Sequence, residues 1–159
     1  MFQSMTYSGT KEQQYDLLNK QLKALIEDEK DDVANLSNAS SLLNQFLDDV
    51  NWVGFYVWKE DELVLGPFQG MPACVRIPSG RGVCGTAVAE RKVQRVEDVH
   101  AFPGHIACDA ASQSEIVVPI LKNGDIYGVL DIDSPSKGRF DKVDEQKLVE
   151  FVETLQNYI

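Results

Sequence analysis

The sequence predicts an α+β domain with a mostly antiparallel central sheet flanked by helices. Three observations carry this. Apolar residues recur at helical spacing near both ends of the chain. Between them lie short runs rich in aromatic and β-branched residues, bounded by turn residues. Two of those runs meet at Asn123-Gly124, a dipeptide suited to a tight hairpin.

Lys11 to Glu29 predicts a first helix, with Tyr15, Leu18, Leu22, Leu25 and Ile26 on one face. Asp31 or Asp32 can cap a second, whose apolar face is Val33, Leu36, Leu43, Phe46 and Leu47. The period then changes. Val50 to Trp58 and Glu62 to Phe68 read as a strand pair around the polar turn Lys59-Glu60-Asp61, and Cys74 to Ile77 as a short third strand. After the turn cluster Pro78-Ser79-Gly80-Arg81-Gly82, Val83 to Arg91 reads as helical and Val93 to Val96 as a short strand. His100 to Ser114 is a long irregular loop, a length that more often serves function than accident. Glu115 to Leu121 and Ile126 to Asp133 form the hairpin pair, and Phe140-Asp141 opens a last helix with Val143, Leu148, Phe151, Val152 and Leu155 inward. Residues 1–10 are polar and are expected to form a flexible leader, with residues 11–159 a single domain.

Bulk properties narrow the function. A chain of 159 residues can bury a real core. Its net charge of −10 and pI of about 4.6 argue against nucleic acid or an anionic membrane surface as the main partner. No apolar run approaches the roughly 20 residues of a membrane span, and the first residues lack the pattern of a secretory signal. Three cysteines, an odd number, fit a reducing cytoplasm better than a secreted disulfide framework.

The candidate chemistry gathers around Pro103 to Pro119, which carries His105, Cys108 and Glu115. Each cysteine alone reads first as a small buried hydrophobe. Cys84, near a helix start, is a candidate thiolate, because helix N-termini favour negative charge. Cys108 lies on the loop with His105 one turn away if the loop coils. His105, Cys108, His100 and Cys84 offer a zinc set, but without the tight cysteine pair typical of structural zinc. Asp131 and Asp133 are two apart in a strand and so share a face. The Asn123-Gly124 hairpin brings Glu115 beside them. Such a trio either is a solvated acidic edge or holds an ammonium group, or one proton, among three carboxylates. Trp52 reads first as core. Gly66-Pro67-Phe68-Gln69-Gly70 could offer backbone N–H groups to a ligand carboxylate.

In order and spacing, the runs NWVGFY (51–56), LGPFQG (65–70), PAC (72–74), GVCG (82–85), DVH (98–100), FPGHIACD (102–109), SEIVVP (114–119) and GVLDIDSP (128–135) resemble the free methionine-(R)-sulfoxide reductase family, which is built on a GAF domain. The resemblance covers roughly residues 15 to 155. It implies a GAF-like fold of about six strands with the N- and C-terminal helices packed together, and a cytoplasmic homodimer. It implies reduction of free methionine-(R)-sulfoxide with no flavin or metal, with electrons from thioredoxin. By the same resemblance Cys108 is the attacking thiolate, Cys74 the first resolving thiol and Cys84 a second recycling thiol, although the attacking role has also been given to the GVCG cysteine. Trp52 would wall the S-methyl group. Glu115, Asp131 and Asp133 would line the pocket, binding the ammonium and helping to protonate the sulfoxide oxygen, with Asp133 also placed among the catalytic residues and the protonating acid left open. The rival from another class is a GAF-type small-ligand sensor without turnover; a single domain with no output domain attached counts against it.

Overall fold

The computed structural model describes residues 2–106 and 108–159; Met1, in the expected leader, and Ala107, in the long loop, lie outside the described residues. Four helices surround one six-stranded sheet. The helices are α1 (Lys11–Ile26), α2 (Asp32–Phe46), α3 (Gly82–Glu90) and α4 (Lys142–Gln156), and the strands are β1 (Trp52–Lys59), β2 (Glu62–Gly70), β3 (Arg76–Pro78), β4 (Gln94–Val96), β5 (Ser114–Lys122) and β6 (Asp125–Ser134). Strand order is β3-β2-β1-β6-β5-β4 and every pair is antiparallel.

Alternation along the strands divides the sheet into two working faces. Val53, Phe55, Ile116, Val118, Ile120, Leu130 and Ile132 point to one side and bury against α1, α2 and α4, forming the main core. Trp52, Tyr56, Val117 and Val129 point to the other side and pack with Leu63, Ile77 and the α3 residues Val83, Cys84, Ala87 and Val88. The first face is closed by three helices. The second has one short helix and loops, and there the chain leaves a cavity.

The helix starts follow from their caps. Thr10 accepts from the Gln13 amide while the Gln13 side chain returns to the Thr10 N–H, a reciprocal box at the start of α1. Asp141 and Asp144 do the same for α4. Asp144 also joins the two helices. Fully buried, it accepts from Tyr15 Oη at 2.6 Å and from Lys11 Nζ at 2.8 Å, with Arg139 at 3.5 Å. Burial, then the Asp144 carboxylate, keeps the Tyr15 phenol protonated. Removing one partner from a buried charge network leaves the others unpaired. Asp144→Ala is therefore expected to cost about 3–5 kcal/mol in chemical denaturation, and Tyr15→Phe much less.

Two departures from the sequence reading matter for the site. The third strand begins at Arg76, so Cys74 lies in a loop rather than a strand. The reason is local: Tyr56 Oη donates to the Cys74 carbonyl at 2.9 Å and the Leu65 amide to the Val75 carbonyl at 2.8 Å, which straps residues 71–75 over the sheet before ladder pairing starts. The β5–β6 hairpin also carries a register shift between Ile120 and Leu121. Lys122 pairs with Asp125 at the turn, yet beyond the shift Glu115 pairs with Asp133. A hairpin without that extra residue would set Glu115 opposite Ile132, on the wrong face. Near the N-terminus, Tyr7 packs edge-on to Phe46 and bonds Gln21.

Candidate active site

The cavity lies on the second face of the sheet, between α3 and the loop from residue 97 to 113. Its volume is about 40 Å³, room for a water or two. Adjacent rungs build its floor. Glu115, Asp133 and Trp52 are successive cross-strand partners on β5, β6 and β1, and Asp131 follows Asp133 on the same face opposite Gly54. The structure thus brings together in one cavity Trp52, Cys84, Cys108, Glu115, Asp131 and Asp133.

Glu115 and Asp131 are 7% and 6% exposed, so the solvated acidic edge considered for these residues is not what forms. Oδ1 of Asp131 and Oδ1 of Asp133 are buried with no hydrogen-bond partner among the described residues. Burial, then the Asp131 and Asp133 charges, push the Glu115 carboxyl well above the usual carboxylate range. Asp133 is pushed up in the same way by burial and Asp131. Burial raises Asp131 too, while hydrogen bonds from Glu115 and Cys84 work against the rise. Asp131 is therefore the member whose charge is least disfavoured, while burial and the Asp131 charge push Glu115 and Asp133 toward their protonated forms.

Raised carboxyl pKa values have a thermodynamic consequence. The folded chain binds protons here more tightly than the unfolded chain, so this stabilisation is present below the unfolded carboxyl pKa and is lost as pH rises through the folded values. The melting temperature of the ligand-free chain is expected to fall as pH rises from the ordinary carboxylate range through the raised folded values, and the Glu115→Gln variant to show a shallower fall. Thermal denaturation across that range checks it.

Trp52, 3% exposed, stacks on Phe68 at 5.0 Å and on Tyr56 at 5.8 Å, and its Nε1 donates to the Met71 carbonyl at 3.2 Å. One indole face and edge are thus fixed while the ring still lines the cavity. Gly66 to Gly70 does not line it; that segment belongs to β2, where a register shift against β1 takes up the chain.

The cysteines take two positions. Cys74 and Cys108 form a disulfide, Cα to Cα 5.6 Å, across 34 residues. Cys108 lines the cavity, and its sulfur is committed to Cys74, so the zinc set of His105, Cys108, His100 and Cys84 is not assembled. His105 stands instead with its ring 6.2 Å from that of His100, and burial, then His100, lowers its pKa. Cys84 is a free buried thiol whose Sγ donates to Glu115 Oε2 at 3.9 Å. The helix start that made Cys84 a candidate thiolate works against its surroundings: burial, followed by Asp131, Glu115 and Asp133, pushes the Cys84 thiol well up. The two glycines around it explain the GVCG run. Gly82 has φ +63° under Ile106, and a Cβ on Gly85 would sit 2.5 Å from the Pro78 carbonyl oxygen.

The loop carries residues that sequence reasoning did not single out. Asn51 Nδ2 donates to Asp109 Oδ2 at 2.9 Å and to Ser112 Oγ at 3.1 Å, while Asp109 Oδ1 accepts from the Ala111 amide. Asp98 caps a 3-10 turn at Val99–Ala101, and the Val99 amide donates to the Gln113 carbonyl. Asn51 and Asp109 sit in the NWVGFY and FPGHIACD runs, so the signal was present without a role attached. Tyr56 and Arg81 also line the cavity.

Comparison with known proteins supplies context. Residues 33–159 match the GAF domain family. Protein YtsP of Bacillus subtilis is 65% identical over 158 residues, 98% of this chain and 97% of that protein. The free methionine-R-sulfoxide reductase of Escherichia coli is 58% identical over 142 residues, 89% of this chain and 86% of that protein. The structure of the fRMsr of Staphylococcus aureus in complex with substrate aligns with a TM-score of 0.88 at 56% identity, covering 97% of this chain and 99% of that one.

Proposed function

The chain belongs to the GAF domain family and, within it, to the free methionine-(R)-sulfoxide reductases, and we propose that its cavity carries out that reduction with Cys108, Cys74 and a proton held by the carboxyl trio. It is an oxidoreductase acting on free L-methionine-(R)-S-oxide. The observation that carries the residue assignment is a cysteine pair at bonding distance over a floor of three buried carboxyl groups.

In the reduced chain, the Cys108 thiolate attacks the sulfoxide sulfur. A proton from the Glu115–Asp133 pair goes to the sulfoxide oxygen, which cannot leave unprotonated. The oxygen passes to Cys108, the substrate sulfur gains two electrons, and methionine and a Cys108 sulfenic acid result. The Cys74 thiol then condenses with the sulfenic acid, forming the disulfide and releasing water. A dithiol reductant of the thioredoxin type restores both thiols by exchange. Cys84, a buried thiol that lines the cavity, enters as a recycling thiol after the loop from 97 to 113 has opened to bring it a partner sulfur. Opening is also needed for entry, because about 40 Å³ cannot hold a sulfoxide amino acid.

Asp131, with an unpartnered buried oxygen, seats the substrate ammonium, and Trp52 walls the S-methyl group. Restriction to the free amino acid follows. In a peptide the amine is an amide, and a buried carboxylate would be left without its cation. From the family resemblance we propose a cytoplasmic homodimer with no resident metal or flavin. Among the described residues no helix is long and apolar enough to cross a membrane.

The test offers the reduced chain free methionine-(R)-sulfoxide, the S epimer and N-acetyl-methionine-(R)-sulfoxide, with a thioredoxin system as reductant. Methionine release from the first substrate alone is expected. Equal turnover of the N-acetyl compound would refute the ammonium seat, and no turnover of any would favour a ligand-sensing GAF module.

A further inference from the structure

The floor of the cavity holds a donor set that the reduction of a sulfoxide does not require in combination. Cys84 Sγ, a Glu115 oxygen and an Asp131 oxygen lie within 4.8 Å of one another, all from buried residues. Independently, Asp131 is 6% exposed and its Oδ1 has no hydrogen-bond partner among the described residues, although it faces the cavity.

We propose that Cys84, Glu115 and Asp131 form a binding site for a divalent cation of the zinc class, which enters the acidic floor of the cavity and excludes the substrate's ammonium. One thiolate and two carboxylates suit a borderline-soft, four-coordinate ion. Calcium and magnesium ask for six or more oxygens and gain nothing from sulfur. A tetrahedral ion with zinc-like bond lengths needs donors roughly 3.3–3.7 Å apart. Cys84 Sγ and Glu115 Oε2 stand at 3.9 Å, so closure takes a small movement of side chains. The remaining space can hold a water as fourth ligand, and Asp133, next to Glu115 across the strands, is the alternative. The site differs from the histidine-containing set suggested by the H-x-x-C spacing, because the Cys108 sulfur is bonded elsewhere. A dication would neutralise crowded carboxylates, and the bond to sulfur forms as the Cys84 proton leaves to solvent.

The exclusion of substrate rests on the functional reading above; the cation site does not. Binding is therefore measured on the oxidised chain, where the Cys74–Cys108 disulfide leaves Cys84 as the sole thiol and no turnover is involved. Cadmium(II) alone is titrated while the ultraviolet sulfur-to-cadmium charge-transfer band is followed. The expected result is a band saturating at one equivalent, removed by added zinc(II), absent in Cys84→Ser and weakened in affinity by about tenfold or more in Asp131→Asn. Circular dichroism establishes that each variant is folded. If Cys84→Ser does not fold, Asp131→Asn and Glu115→Gln decide. Absence of the band in the wild type, its persistence in folded Cys84→Ser, or wild-type affinity in both folded carboxyl variants would overturn the site. A failure of the functional reading would appear instead as absent methionine release, with this titration unchanged.

Discussion

Cys108→Ser abolishes methionine production in the first turnover, with a rate loss on the order of 10³-fold or more, as expected when the nucleophile itself is removed. Serine is isosteric enough to keep the loop but is not a thiolate at neutral pH. The companion variants separate the roles. Cys74→Ser completes one turnover and stops at the sulfenic acid, because the sulfur bonded to Cys108 is missing. Cys84→Ser retains the first turnover, since Cys84 is a buried thiol pushed away from ionisation by Asp131 and Glu115. Quenched single-turnover assays on the reduced variants give each answer. Full product from Cys108→Ser together with loss in Cys84→Ser would move the attack to Cys84.

Glu115→Gln is expected to lower kcat/KM by about 10²–10⁴-fold, the range for removing a positioned general acid. The sign of the pH dependence follows from the cavity. Burial, then the neighbouring Asp131 charge, push both Glu115 and Asp133 above the ordinary carboxylate range. Activity that needs a proton on them is present on the acid side and declines as pH rises through the raised pKa. In Glu115→Gln the alkaline decline changes position or flattens, since residue 115 no longer titrates. Asp131→Asn behaves differently: it raises KM more than it lowers kcat, because the ammonium loses its carboxylate while the proton donor stays. Steady-state profiles of the three proteins distinguish these outcomes. A pH profile of Glu115→Gln identical to that of the wild type would contradict the assignment.

Periodicity made much of this architecture readable in the sequence. The first and last helices, the aromatic β1 and the β5–β6 hairpin all follow from spacing and turn chemistry. The meeting of Glu115 with Asp131 and Asp133 was anticipated from Asn123-Gly124, but the hairpin turn alone does not produce it. The register shift does: Leu121 pairs with Ile126 but Ile120 with Gly128, so β6 takes up one extra residue, Tyr127, which alternation alone does not single out. The surroundings of Cys84 were out of reach for a related reason. Position at a helix start is visible in sequence, whereas the three carboxyl groups that face the thiol come from strands 31 to 49 residues away. Cys74 was placed in a strand because its neighbours are β-formers; the hydrogen bonds from Tyr56 and Leu65 that hold residues 71–75 as a strap are tertiary. The pairing of Cys74 with Cys108 came from resemblance, since three cysteines alone allow any pair.

The most direct test of this account is one turnover followed by a disulfide map. The fully reduced chain is mixed with an excess of free methionine-(R)-sulfoxide in the absence of any reductant, quenched with an alkylating agent, and digested for mass spectrometry while methionine is quantified. One methionine per chain, a Cys74–Cys108 cross-link and an alkylated Cys84 are expected. No methionine, or a cross-link that includes Cys84 in place of Cys74, would contradict it.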